Sequence, residues 1–157
     1  MDLKLPPDIA TKQQLATLMY EIEDFIDAAT QARVRTRETG KEVPDPKPGY
    51  LFKKFLEVNK VEITMGNLSQ LLQELTGLKE RAPIVRFIFA SEPAPEILTK
   101  LAQWLRSSSR SPVMIHVGVQ PQIAVGCILE TPSRRYDFSL RRKLSESTAL
   151  LGALRNG

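Results

Sequence analysis

The stretch Arg81-Ala82-Pro83-Ile84-Val85-Arg86-Phe87-Ile88-Phe89-Ala90 decides the architecture of this 157-residue chain. Up to Pro83, apolar residues recur every three or four positions, the spacing of one helix face. From Ile84 onward they are β-branched and aromatic and run together, which is strand composition. The change of period divides the sequence into a helical part, residues 1–82, and an α/β part, residues 83–157.

Working back from the divide, residues 11–37 read as a helix with Leu15, Leu18, Met19, Ile22, Phe25, Ile26 and Ala29 on one stripe. Thr11 and Gln14 have capping-box spacing, and Glu21, Glu23, Asp24 and Asp27 read as a solvated face. Residues 40–49, with Pro44, Pro46 and Pro48, form a loop. Residues 50–59 read as a short helix presenting Leu51, Phe52 and Phe55. Residues 64–78 read as a third helix with a leucine stripe, Gly77 weakening its end.

Working forward, residues 84–90 are a strand and 91–95 a turn. Residues 96–106 read as a helix carrying Ile97, Leu98, Leu101, Ala102, Trp104 and Leu105. Strands follow at 113–119 and 123–130, then a final helix at 137–154. The expected fold class is α+β: about three helices, then a strand–helix–strand–strand–helix sandwich with helices on one sheet face.

Composition narrows the chemistry. With 42% hydrophobic and 25% charged residues the chain has material for a core, which excludes wholesale disorder. The lone Cys127 excludes an intramolecular disulfide and a thiolate zinc cluster, and reads as a small buried apolar residue. The lone His116, in an apolar strand, reads as a half-exposed structural histidine, because a general base needs a nucleophile and an orienting group beside it. The glycines are scattered, so no phosphate-binding or dinucleotide loop is present. No catalytic residue, cofactor or metal is expected. No apolar run is long enough to span a bilayer, and the start, MDLKLPPDIA, has no signal-peptide pattern. A reducing, cytoplasmic setting is the expectation.

Charge is distributed unevenly. The net charge is +4, and residues 107–157 hold all of it, whereas the first 32 residues are acidic. Such polarity suits oriented docking between protein surfaces. The densest feature is residues 134–143, where Arg134, Arg135, Arg141, Arg142 and Lys143 accompany Tyr136 and Phe138. Read plainly, it is a solvated basic helix start with Asp137 or Ser139 as N-cap. Read functionally, it needs an acidic partner.

From residue 85 to about 144 the chain resembles the C-terminal domain of the delta subunit of F-type ATP synthase, the oligomycin-sensitivity-conferring protein family. The resemblance rests on Val119-Gln120-Pro121-Gln122-Ile123-Ala124-Val125-Gly126, at a turn and strand, and on Tyr136-Asp137-Phe138-Ser139-Leu140-Arg141-Arg142-Lys143-Leu144, at a helix start. Pro121, Gly126, Asp137 and Ser139 match the family's motif residues. Val125 stands where the family has the first of two glycines, and Phe138 where it has glycine between Asp and Ser. The family's N-terminal domain is a six-helix bundle, against three helices here, so the N-terminal part is reduced or divergent.

The resemblance implies a non-catalytic stator subunit, held peripherally at the membrane within the complex. It would link the alpha-subunit N-termini of the catalytic head to the stalk b subunit. It also implies that the cations of 134–143 face a partner. Two other readings stay open: a small nucleic-acid-binding protein using residues 134–143, and a small enzyme without a recognisable motif.

Overall fold

The computed structural model describes residues 4–60, 63–108, 112–123 and 125–139. Helices α1 (Lys12–Thr39), α2 (Tyr50–Asn59) and α3 (Met65–Arg81) come first. They are followed by β1 (Ile84–Phe89), α4 (Pro95–Ser108), β2 (Met114–Val119), a 3-10 turn (Pro121–Ile123), β3 (Cys127–Glu130) and β4 (Arg135–Asp137). The sheet order is β2-β1-β3-β4, with β1 and β2 parallel and the other neighbours antiparallel. The fold is mixed helix and sheet with the helices N-terminal, as the change of period at Pro83 predicts.

The local signals act as their chemistry requires. The Thr11 and Gln14 side chains cap reciprocally: Gln14 N–H donates to Thr11 Oγ1 at 3.2 Å, and Thr11 N–H to Gln14 Oε1 at 3.0 Å. Thr64 caps α3, which continues through Gly77 to Arg81. The N-cap of α2 is Gly49, which has no side chain to offer. Glu21 of α1 supplies the missing acceptor, taking the Phe52 N–H at 2.8 Å. A carboxylate at a helix N-terminus satisfies an orphan amide and complements the dipole. The Glu21 carboxyl lies so close that a Cβ on Gly49 would collide with it. Glu21 is therefore a tertiary cap, not part of the solvated face expected from sequence.

Two cores result. Leu15, Leu18, Ile22, Phe52, Phe55, Leu68 and Leu75 form the helical one, where Phe25 and Phe52 meet edge to face at 5.5 Å. Phe87, Ile115 and Leu129 form the second, under Ala102 of α4. Met114, on β2, packs into the helical core, while the following Ile115 packs under α4.

The join between the parts is residues 4–11. Ile9 N–H donates to Pro6 C=O at 3.0 Å, closing a turn over Pro7 and Asp8. Leu5 and Ile9 enter the helical core and Ala10 the sheet core. Ala10 C=O accepts the Ile115 N–H at 2.8 Å, and Thr11 makes a parallel bridge to Ile115. Lys4 N–H and C=O are both bonded by the Asn59 amide at 2.8 Å. Arg106, at the end of α4, donates to the carbonyls of Leu5 (3.2 Å), Pro6 (2.9 Å) and Ile9 (2.5 Å). Burial lowers the pKa of this guanidinium, yet arginine remains charged at any working pH. The helix–strand divide at 82/83 thus stands in the chain order, while residues 5–11 pack on both sides of it.

Two expectations are corrected. Residues 123–130 are not one strand: Ile123 belongs to the 3-10 turn, Val125 is in an exposed bend, and pairing begins at Cys127. Residues 135–137 form a fourth strand, so the expected helix does not start at Asp137. Its remainder, from Leu140, lies outside the described residues.

Replacing Arg106 by Leu is expected to destabilise the protein by about 2–4 kcal/mol, because carbonyls shielded from water lose a charged donor. Arg106→Lys should recover part of this loss. Denaturant unfolding of the two variants beside the parent measures it.

Candidate protein-docking face

The face of the sheet away from α4 is built from strand register. His116 lies opposite Arg86, Arg86 opposite Glu130, and Glu130 opposite Arg135. These four residues, one per strand, form a polar row across the sheet. Glu130 joins its neighbours, at 3.6 Å from Arg86 Nη1 and 3.5 Å from Arg135 Nη1. Both arginine side chains are more than half exposed, so the pairs add little stability. They hold two guanidiniums in fixed positions. His116 is exposed at the end of the row, and alternation along β2 puts it on the face of Met114, as read from sequence.

The next row is apolar. Ile88 and Ile128 pack together, and the 3-10 turn folds Ile123 over them. Pro121 opens that turn, its fixed φ suiting a helical first position. Gly126 then takes φ +103°, a conformation L side chains rarely adopt. A Cβ there would strike the Phe138 carbonyl oxygen and come within 2.9 Å of Ser139 Cα. Phe138 N–H donates to Cys127 C=O at 2.9 Å, and Asp137 Oδ1 accepts the Ser139 N–H at 2.9 Å. Ser139 is buried. Gly126, Asp137 and Ser139 therefore meet at one corner, and only the second position of the Val125–Gly126 pair needs glycine.

The basic segment divides. Arg134 lies between β3 and β4, its N–H and C=O both bonded to the Thr131 hydroxyl, and its Nη1 reaches Tyr136 Oη at 3.4 Å. Arg135 is in β4, in the Glu130 pair. Arg141, Arg142 and Lys143 lie outside the described residues. Tyr136 (39% exposed) and Phe138 (63%) stack at 6.3 Å. Tyr136 sits opposite Leu129 and so on the α4 side of the sheet. On α4 itself Ile97 and Trp104 are exposed, one heptad apart; Trp104 is 56% exposed. The sequence reading placed both on the apolar stripe, but only Ala102 of that stripe is fully buried. Glu130, the centre of the polar row, was missed altogether. Its role depends on cross-strand neighbours that no sequence spacing reveals.

Among the described residues, no three of His, Cys, Asp and Glu gather as a metal site, and no helix is long and apolar enough to cross a membrane. Cys127 is half-buried against the sheet core, and this burial raises its thiol pKa. No protein-family model matches the chain, and no curated protein matches it.

Gly126→Ala should cost more than about 2 kcal/mol, since positive φ and a backbone collision add; Val125→Ala should be near neutral. Thermal unfolding of the pair tests the corner. For Cys127, a raised pKa leaves less thiolate at a given pH. Labelling by a disulfide reagent near pH ~7.5 should run at least roughly threefold slower than for free cysteine, and denaturant should abolish the difference.

Proposed function

We propose that the chain is a non-catalytic connector in the peripheral stalk of an F-type ATP synthase. The helical part would dock the alpha-subunit N-termini and the α/β part the stalk b subunit, the whole held peripherally at the cytoplasmic side of the membrane during proton-driven ATP synthesis. The observation that carries the reading is the corner at Gly126. The two segments on which the family resemblance rests flank the β3–β4 hairpin, where Gly126 of the first lies against Phe138 and Ser139 of the second. The element order β1, α4, β2, turn, β3 also follows the expected strand–helix–strand–strand order, with β4 standing where the final helix was expected to start.

A docking role is supported by the surface. Ile97, Trp104, Tyr136 and Phe138 are large, exposed and apolar or aromatic, the residue types that anchor protein interfaces. Arg134, Arg135, Arg141, Arg142 and Lys143 are the cations we assign to an acidic partner segment.

The stacked Tyr136 and Phe138 beside Arg134 favour a second reading, a platform for single-stranded nucleic acid. Against it, a net charge of +4 neutralises few phosphates.

Affinity purification from native membranes should recover synthase head and stalk subunits. Arg141→Gln with Arg142→Gln should leave the unfolding midpoint unchanged and weaken that recovery severalfold, most at low salt, where screening is least. Equal recovery at every salt concentration would reduce these cations to a solvated surface. Tight nucleic-acid binding at ~150 mM salt would favour the second reading.

A further inference from the structure

Strand β2 is the edge of the described sheet, and its outer side is only begun upon. Met114 N–H donates to Pro83 C=O at 2.9 Å and Gln120 N–H to Phe89 C=O at 2.8 Å, so even-numbered amides face β1. Ile115 N–H points the other way and is taken by Ala10 C=O. By the same alternation the amides of Val117 and Val119 face outward. After the single bridge at Thr11 the chain turns into α1. Among the described residues no strand pairs with the rest of this edge.

A groove of about 660 Å3 follows the edge. Its lining takes His116 from one face of the sheet and Ile115 and Val117 from the other, so the groove straddles the strand edge, and Ile84 of β1 also lines it. Lys12 and Thr17 of α1 form one wall, and Glu92 and Leu98 the opposite one.

We propose that this edge binds an extended peptide as an added strand, with an acidic residue at the Lys12–His116 end and a basic one at the Glu92 end. Ala10 already shows the pairing: one segment in extended conformation, accepting from an outward amide of β2. Strand addition draws affinity from main-chain bonds and selectivity from side chains at the groove ends. The charge order follows from the chain, because Lys12 adjoins the Thr11–Ile115 bridge, whereas Glu92 lies just past β1, whose end pairs with Val119. This inference is independent of the stator reading and assigns a site on the strand edge opposite the β4 corner.

The test is an amide NMR titration of the full chain with the acetylated, amidated pentapeptide Asp-Val-Thr-Val-Lys. Saturable shifts centred on the Val117 and Val119 amides are expected. Methylating alternate peptide nitrogens should weaken binding at least roughly tenfold. Lys12→Glu should reverse the preference over the charge-swapped peptide Lys-Val-Thr-Val-Asp. Val117→Pro deletes one outward donor and leaves the amides facing β1 in place, so it should lose binding while circular dichroism is unchanged. If that variant fails to fold, the methylated peptide asks the same question of the unaltered protein. No saturable shift by about 1 mM peptide, undiminished binding of the methylated peptide, or occupation of the edge by a second copy or an oligonucleotide would each overturn the proposal.

Discussion

Residues 5–11 run between two apolar cores, and their carbonyls must be satisfied away from bulk water. That constraint organises the molecule. Arg106 meets it, with three carbonyls on one guanidinium, a fork whose rigid donors suit such a cluster. Neutral acceptors do not quench its charge, and burial lowers its pKa, but hydrogen bonds from a charged donor outweigh neutral ones. The same segment supplies Leu5 and Ile9 to one core and Ala10 to the other. It also starts α1 at the point where it bridges β2. Helical part, sheet and groove therefore share one anchor.

The sheet distributes its chemistry by row and by face. The α4 side is apolar and carries the stability. The opposite side alternates the polar row of His116, Arg86, Glu130 and Arg135 with the covered row of Ile88 and Ile128. The corner at Gly126 packs the bend before β3 against Phe138 and Ser139. The aromatics Tyr136 and Phe138 lie at the β4 edge and the groove at the β2 edge, so two ends of one sheet offer surfaces of different chemistry. One suits an acidic or aromatic-seeking partner and the other a main-chain partner.

Much of the fold was legible because it is set by local rules. The stripe Leu15, Leu18, Ile22, Phe25 and the Thr11–Gln14 box require only neighbours within a turn, and α1 starts where they say. Residues 50–59 and 84–89 behaved likewise. What failed locally was punctuation. The expected strand from Ile123 ran through Gly126, whose positive φ is imposed by the approach of Phe138, twelve residues away. The expected helix at Asp137 gave way to β4 because a partner strand, β3, was available to pair it. Of the candidate site residues, Pro121, Gly126, Asp137 and Ser139 were singled out in the sequence, yet the approach of Gly126 to Ser139 was not legible there.

The sequence by itself determined the class of elements, their order, the change of period at Pro83 and the uneven charge, since each is a property of residues close in the chain. Tertiary structure alone decided that Glu21 caps a helix by taking an amide 31 positions on, that Arg106 clasps residues 5–9, and that Glu130 lies between two arginines. It also left Trp104 outside the core and, among the described residues, part of the β2 edge without a partner strand. These are contacts between distant segments, selected by which carbonyls, amides and charges need partners once the cores have closed, and no periodicity encodes that selection.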